Sequence, residues 1–186
     1  MATGLQPTDN LESAMLVALN PGAYTAILRG KNNGAGIGLV EVYDVSPTSD
    51  SKLANVSTRG FMLYPGENVL IAGTILLGQG SQQILVRGIG PSLNLPGKLP
   101  DTLLLLCDAN GAVIRSNDNW RDDQEAAISA TGLAPTNDAE SAILETLPAN
   151  GTPYTAILAA GGPMDPYVGP PPPFGGLAVV EIYRLP

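Results

Sequence analysis

Apolar residues along this chain fall into short runs separated by turn residues, and that spacing predicts strands rather than helices. Three runs occupy the first part of the chain: SAMLVAL (13–19), AYTAILRG (23–30) and IGLVEVYDV (37–45). Asn20-Pro21-Gly22 precedes the second and Asn32-Asn33-Gly34 the third, so a meander of three antiparallel strands is expected. In the last run Leu39, Glu41 and Tyr43 alternate with Val40, Val42 and Asp44, a period of two that suits a sheet with unequal faces.

Further strands are predicted at 54–63, 68–77, 82–89, 102–108 and 112–116, the last two joined by a hairpin at the DANG turn, 108–111. The stretch DDQEAAISA (122–130) holds good helix formers and one β-branched residue, so it predicts the one short helix. Strands at 141–147, 154–160 and 176–185 then complete the pattern, with a long loop before the last that contains four consecutive prolines and favours an extended polyproline path.

The chain also repeats itself. Residues 2–19 align without gaps on 130–147, and eleven of those eighteen positions are identical. YTAIL recurs at 24–28 and 154–158, and Glu41 and Glu181 hold the same place in the two closing strands. The expected organisation is therefore a half repeat of three strands at 1–46, a Ser- and Pro-containing linker at 47–52 and a full β-sandwich repeat at 53–186. In fold class this is all-β, an antiparallel jelly-roll-like sandwich with an additional N-terminal three-strand half repeat.

Composition narrows the function classes. With 186 residues the chain can bury a core without staples, and its single cysteine, Cys107, lies in the apolar run TLLLLC, where a thiol acts as a small hydrophobe. A net charge of −8 opposes binding to nucleic acid or anionic membranes, so no nucleic-acid partner is expected. No apolar run is long enough to predict a membrane span. Residues 1–10 have neither a basic nor an apolar signal region, so any export signal is expected to lie outside the chain as given. Low Lys and Cys with abundant Thr, Asn, Gly and Pro suggests an extracellular or cell-surface setting.

The segments LANVSTRGF, NVLIAGTI, ILVRGIGPSL, LLLLCDANGAVIRSNDNW, TGLAPTNDAESAIL, YTAIL and VVEIY give residues 53–186 a resemblance to the tandem repeats of large secreted and surface proteins of Verrucomicrobia-like environmental bacteria. The second half also resembles bacterial pre-peptidase C-terminal domains. That likeness implies a small jelly-roll-like sandwich attached to secreted enzymes or surface proteins, some of which bind calcium or polymers.

Catalytic chemistry has little to work with. Histidine, the commonest general base and zinc ligand, does not occur in the sequence, and there is no G-x-S-x-G nucleophile motif, so no catalytic residue is assigned and the chain is read as a non-enzyme. Gly34-Ala35-Gly36-Ile37-Gly38 and Gly88-Ile89-Gly90 lack the following helix of a phosphate loop.

Oxygen-bearing residues suggest calcium, the one candidate cofactor, at Asp108, Asn110, Asn117, Asp118 and Asp122, although the spacing is not that of an EF-hand and the same residue types serve tight turns. Glu12 with Asp9 and Glu140 with Asp138 recur beside a strand start, where carboxylates can accept backbone N–H groups. Trp120, Tyr167 and Phe174 could stack on a sugar, or Trp120 could plug the sandwich. The expected function is an extracellular structural or interaction module. Its partners would be copies of itself or neighbouring repeats, joined head to tail into filaments or arrays by strand donation; a calcium- or glycan-binding accessory domain is the alternative.

Overall fold

A computed structural model describes residues 3–46, 52–64, 69–161 and 174–186. Contacts divide the chain into two units, Met1–Leu53 and Ala54–Pro186. The expected linker falls largely outside the described residues, as does the four-proline loop.

The second unit is an antiparallel β-sandwich. Its strands are β1 (Asn55–Tyr64), β2 (Leu70–Ile75), β3 (Ser81–Ile89), β4 (Thr102–Cys107), β5 (Val113–Asn117), β6 (Ser141–Pro148), β7 (Pro153–Ala160) and β8 (Phe174–Arg184), with one helix, α1 (Glu125–Ala130), between β5 and β6. One sheet has the order β1-β8-β3-β6 and the other β2-β7-β4-β5, the arrangement of a jelly roll.

Alternation along the strands builds the core. In β7 the residues Tyr154, Ala156 and Leu158 face inward, and in β8 Ala178, Val180 and Ile182 do so, meeting Leu104, Leu106, Ile84, Val86 and Ile143 between the sheets. A second cluster covers the outer face of the β1-β8-β3-β6 sheet, where Leu85, Ala142 and Leu144 pack against Trp120 and Ile128 of α1. Trp120 is thus buried beneath the helix. The outer face of the other sheet carries a cross-strand row of Ile71, Ile157 and Leu105, with Ile71 exposed.

The topology corrects the expected meander. β6, β7 and β8 do not pair with one another: β6 pairs with β3, β7 with β2 and β4, and β8 with β1 and β3. Every ladder bond of the repeated three-strand half therefore comes from strands encoded between 55 and 107.

That rule explains the first unit. Among its described residues the only regular element is the single turn Lys31–Asn33, and all of residues 3–46 are exposed. The three strands expected at 13–45 are not formed. Their sequence is strand-like, but the segments that would bond to them have no first-unit counterpart, so no ladder forms and the exposed amides are left to water. Turn chemistry survives without pairing: Asn32 and Asn33 take positive φ of 55° and 60°, and the Gly34 amide donates to the Lys31 carbonyl at 3.0 Å, closing a reversal between 23–30 and 37–45.

Candidate interaction site

The polar chemistry of the sandwich gathers where β3 ends and β6 begins. Glu140, just ahead of β6, is fully buried. Its Oε1 accepts the Gly90 amide at 3.2 Å, the Ser92 amide at 2.9 Å and the Ser92 hydroxyl at 2.6 Å, while Oε2 accepts the Asn137 amide at 3.3 Å. A buried carboxylate is tolerated only with such partners. The carboxylate therefore ties the loop after β3 to the turn before β6.

Beside it the Ser141 amide donates to Thr102 Oγ1 at 2.9 Å, and Thr102 Oγ1 donates to the Gly88 carbonyl at 3.1 Å, crossing from one sheet to the other. Gly88 is glycine for want of room: a Cβ there would lie 2.3 Å from Leu158 Cδ1 and 2.4 Å from Ser141 Oγ. Asn117 completes the seam, accepting the Ala142 amide at 2.9 Å and donating to the Asn119 carbonyl at 2.8 Å.

On the outer face of the same strand, Arg87 lies directly across from Glu181. Its Nε donates to Glu181 Oε2 at 2.9 Å, Nη1 to the Leu133 carbonyl at 2.7 Å and Nη2 to the Tyr183 hydroxyl at 2.9 Å, with the guanidinium 4.8 Å from the Tyr183 ring centre. Tyr183 donates in turn to Glu181 Oε1 at 3.3 Å, and burial together with the Glu181 charge pushes its pKa up. A shallow open groove of about 250 Å³ runs along this clamp past Ser92, Pro135 and Val179. Fork geometry explains arginine here, because one guanidinium serves a carboxylate, a carbonyl and a phenol.

The first unit repeats half of this arrangement. Its Leu5 amide donates to Thr3 Oγ1 at 3.3 Å as Leu133 does to Thr131 at 3.1 Å, with Gly4 and Gly132 at φ of 72° and 71°. The Leu11 amide donates to Asp9 Oδ1 at 2.7 Å, as Ala139 does to Asn137 at 3.0 Å. Glu12 Oε2 accepts the Asp9 amide at 3.4 Å, as Glu140 accepts that of Asn137, and Tyr43 donates to Glu41 Oε1 at 3.1 Å, as Tyr183 does to Glu181. This bond and the Glu41 charge raise the Tyr43 pKa. Missing from the first unit are the counterparts of Gly90, Ser92 and Arg87.

The residues proposed from sequence to hold calcium are not brought together. Asp108 and Asn110 sit in the β4-β5 turn, where Asp108 Oδ1 accepts the Asn110 and Ala112 amides at 2.8 and 2.9 Å, bonds that lower its pKa. Asn117, Asp118 and Asp122 lie at the other end of that hairpin, about 16 Å away at strand rise. Ligands of one ion lie within about 2.6 Å of it, so the two groups cannot share one. Asn117 is also committed to the seam, and Asp122 accepts from Asn119 at 3.3 Å. Among the described residues no group of three or more acidic, cysteine or histidine side chains is placed to hold an ion.

Sequence reading missed a different acid pair, Asp101 with Asp118. A Cβ on Gly161 would lie 2.7 Å from Asp101 Oδ1 and 3.0 Å from Asp118 Oδ1, and burial, then the Asp118 charge, raises the Asp101 pKa. The register of the β4-β5 hairpin, which pairs Leu104 with Asn117, brings together two acids seventeen positions apart in the chain. Asp138 is not paired with Glu140; it accepts from Arg121 at 2.6 Å. Cys107 is buried, with its thiol pKa pushed up by burial and by Asp108. Tyr167 and the Phe174 side chain fall outside what the structure describes. In comparisons with known proteins, no family model and no curated protein matches this chain.

Proposed function

We propose that this chain is a non-catalytic structural module of an extracellular or cell-surface protein, which associates with neighbouring repeats, copies of itself included, through residues 1–46. Strand donation from that segment would link modules head to tail into filaments or arrays. One observation carries this reading: the segment keeps the residue pattern that β6–β8 bury, and leaves it exposed. Tyr24, Ala26 and Leu28 stand where Tyr154, Ala156 and Leu158 are buried, yet Leu28 is 54% exposed against 0% for Leu158. Apolar side chains of this size each contribute about 1.5–3 kcal/mol when fully buried, so a partner that covers them gains substantially. The resemblance to tandem surface repeats agrees with such a role.

Light scattering on the whole chain and on a chain lacking residues 1–46 tests it. The expected result is large assemblies in the first and a folded monomer in the second. Assemblies that persist after the deletion would contradict the proposal.

A further inference from the structure

We propose that residues 13–45 are the β6–β8 strands of a second jelly roll, whose other half is a β1–β5-type segment with an Arg-Gly-Ile-Gly-Pro-Ser sequence like that of residues 87–92. This rests on the structural-module reading above and names the partner that it requires.

The match can be followed position by position. The buried positions Ser141, Ala142, Ile143, Leu144 and Leu147 of β6 correspond to Ser13, Ala14, Met15, Leu16 and Leu19. Those of β7 correspond to identical residues. In β8, Gly176, Ala178, Val180 and Ile182 correspond to Gly36, Gly38, Val40 and Val42, each at least as small as the residue it matches. No buried position of the three strands has become charged.

Two polar features specify the partner further. Glu12 keeps the local bond of Glu140, and Oε1 is the oxygen that in Glu140 takes the Gly90 and Ser92 groups. Glu41 and Tyr43 form a carboxylate and phenol pair like the one that receives Arg87. Both missing donors come from one stretch, residues 87–92, so a single strand end from the partner supplies them together. Where the copies differ the partner differs too. Val17 replaces Glu145, which binds Arg115 at 2.8 Å, so the partner carries an apolar residue rather than arginine at that place.

Exchange between copies of residues 1–186 can link them but cannot cover every set. Each copy contains two β6–β8 sequences and one β1–β5 half, which its own β6–β8 fill. Any swap among copies therefore leaves one set uncovered per chain. An occupant that brings an unfilled half covers both sets.

Joining a second copy of residues 53–129, carrying Arg115→Val in that copy, ahead of residue 2 supplies that half within one chain, and amide hydrogen exchange reads the outcome. Residues 13–45 should become as slow to exchange as β6–β8, at least a hundredfold slower than in the parent chain. Leu28→Asp should abolish the gain. In the same joined chain, Glu12→Gln with Glu41→Gln should speed exchange of residues 13–45 at least tenfold. These three positions are exposed in the first unit, so the variants leave the existing sandwich intact. Unchanged exchange in the joined chain, or protection that survives Leu28→Asp, overturns the partner assignment. If assemblies of the natural chain nevertheless depend on residues 1–46, the structural reading stands without this partner; if they do not, both fail.

Discussion

Individual residues at the β3-β6 end carry more of the sandwich than their number suggests. Glu140 accepts four hydrogen bonds in a buried site, so Glu140→Ala strands the Gly90 and Ser92 donors; we expect a loss of about 3 kcal/mol or more in a urea melt. Arg87→Ala leaves Glu181 largely buried without its cation and should cost about 2–4 kcal/mol by the same measurement, with Arg87→Lys recovering only part because one ammonium cannot replace the fork. Asp101 behaves oppositely. Its folded pKa lies above the unfolded value of 3.8, so the folded state holds the proton more tightly, is favoured at low pH, and loses that advantage as pH rises through the raised pKa. Asp101→Asn should therefore raise the melting temperature at pH 7, with the gain shrinking below pH 4; a variant less stable at pH 7 would contradict the burial and Asp118 argument. Buried Asp101 Oδ1 accepts no hydrogen bond among the described residues, and the backbone bond from Thr102, which lowers the pKa, does not offset burial and the Asp118 charge.

Among the elements, β3 is the hub, paired with β6 and β8 and facing Leu158 across the seam at Gly88. Gly88→Ala overpacks that contact and should destabilise by about 1–3 kcal/mol, whereas Gly97→Ala, with open space but a φ of +68°, should cost about 1 kcal/mol through backbone strain alone. Most strands of the sandwich were legible in the sequence because their apolar runs end at strong turn signals, as at Asp108-Ala109-Asn110-Gly111. The helix was legible more coarsely, at 122–130 against Glu125–Ala130. What alternation along the chain could not supply was strand partnership. Nothing local in SAILETL, YTAIL or VVEIY says that each bonds to a strand encoded before residue 108, so the expected meander failed in both copies for one reason. The acid pair was hidden likewise, since Asp101 and Asp118 meet at the open end of the β4-β5 hairpin only in the register that pairs Leu104 with Asn117. Of the recurring carboxylates, Glu140 accepts amides at a strand start as expected, whereas Asp138 accepts from Arg121 and no strand follows Glu12 within residues 13–46; the loop after β3 that Glu140 holds could not be named.

At the scale of the whole molecule, one jelly roll is complete, and the sequence of its last three strands occurs a second time without strand pairing among the described residues. The two copies have nearly the same local sequence and the same turn bonds, yet opposite burial, and pairing partners account for that difference. The outer row of Ile71, Ile157 and Leu105 adds apolar surface to the complete sandwich. The most direct measurement is residue-resolved amide hydrogen exchange on the dilute monomeric chain. The amides of 13–19, 23–30 and 37–45 should exchange within seconds to minutes, while those of β6–β8 are protected by orders of magnitude, approaching the global stability. Equal, strong protection of both copies in the monomer would show that the first set finds its partners within the chain, and would contradict the account.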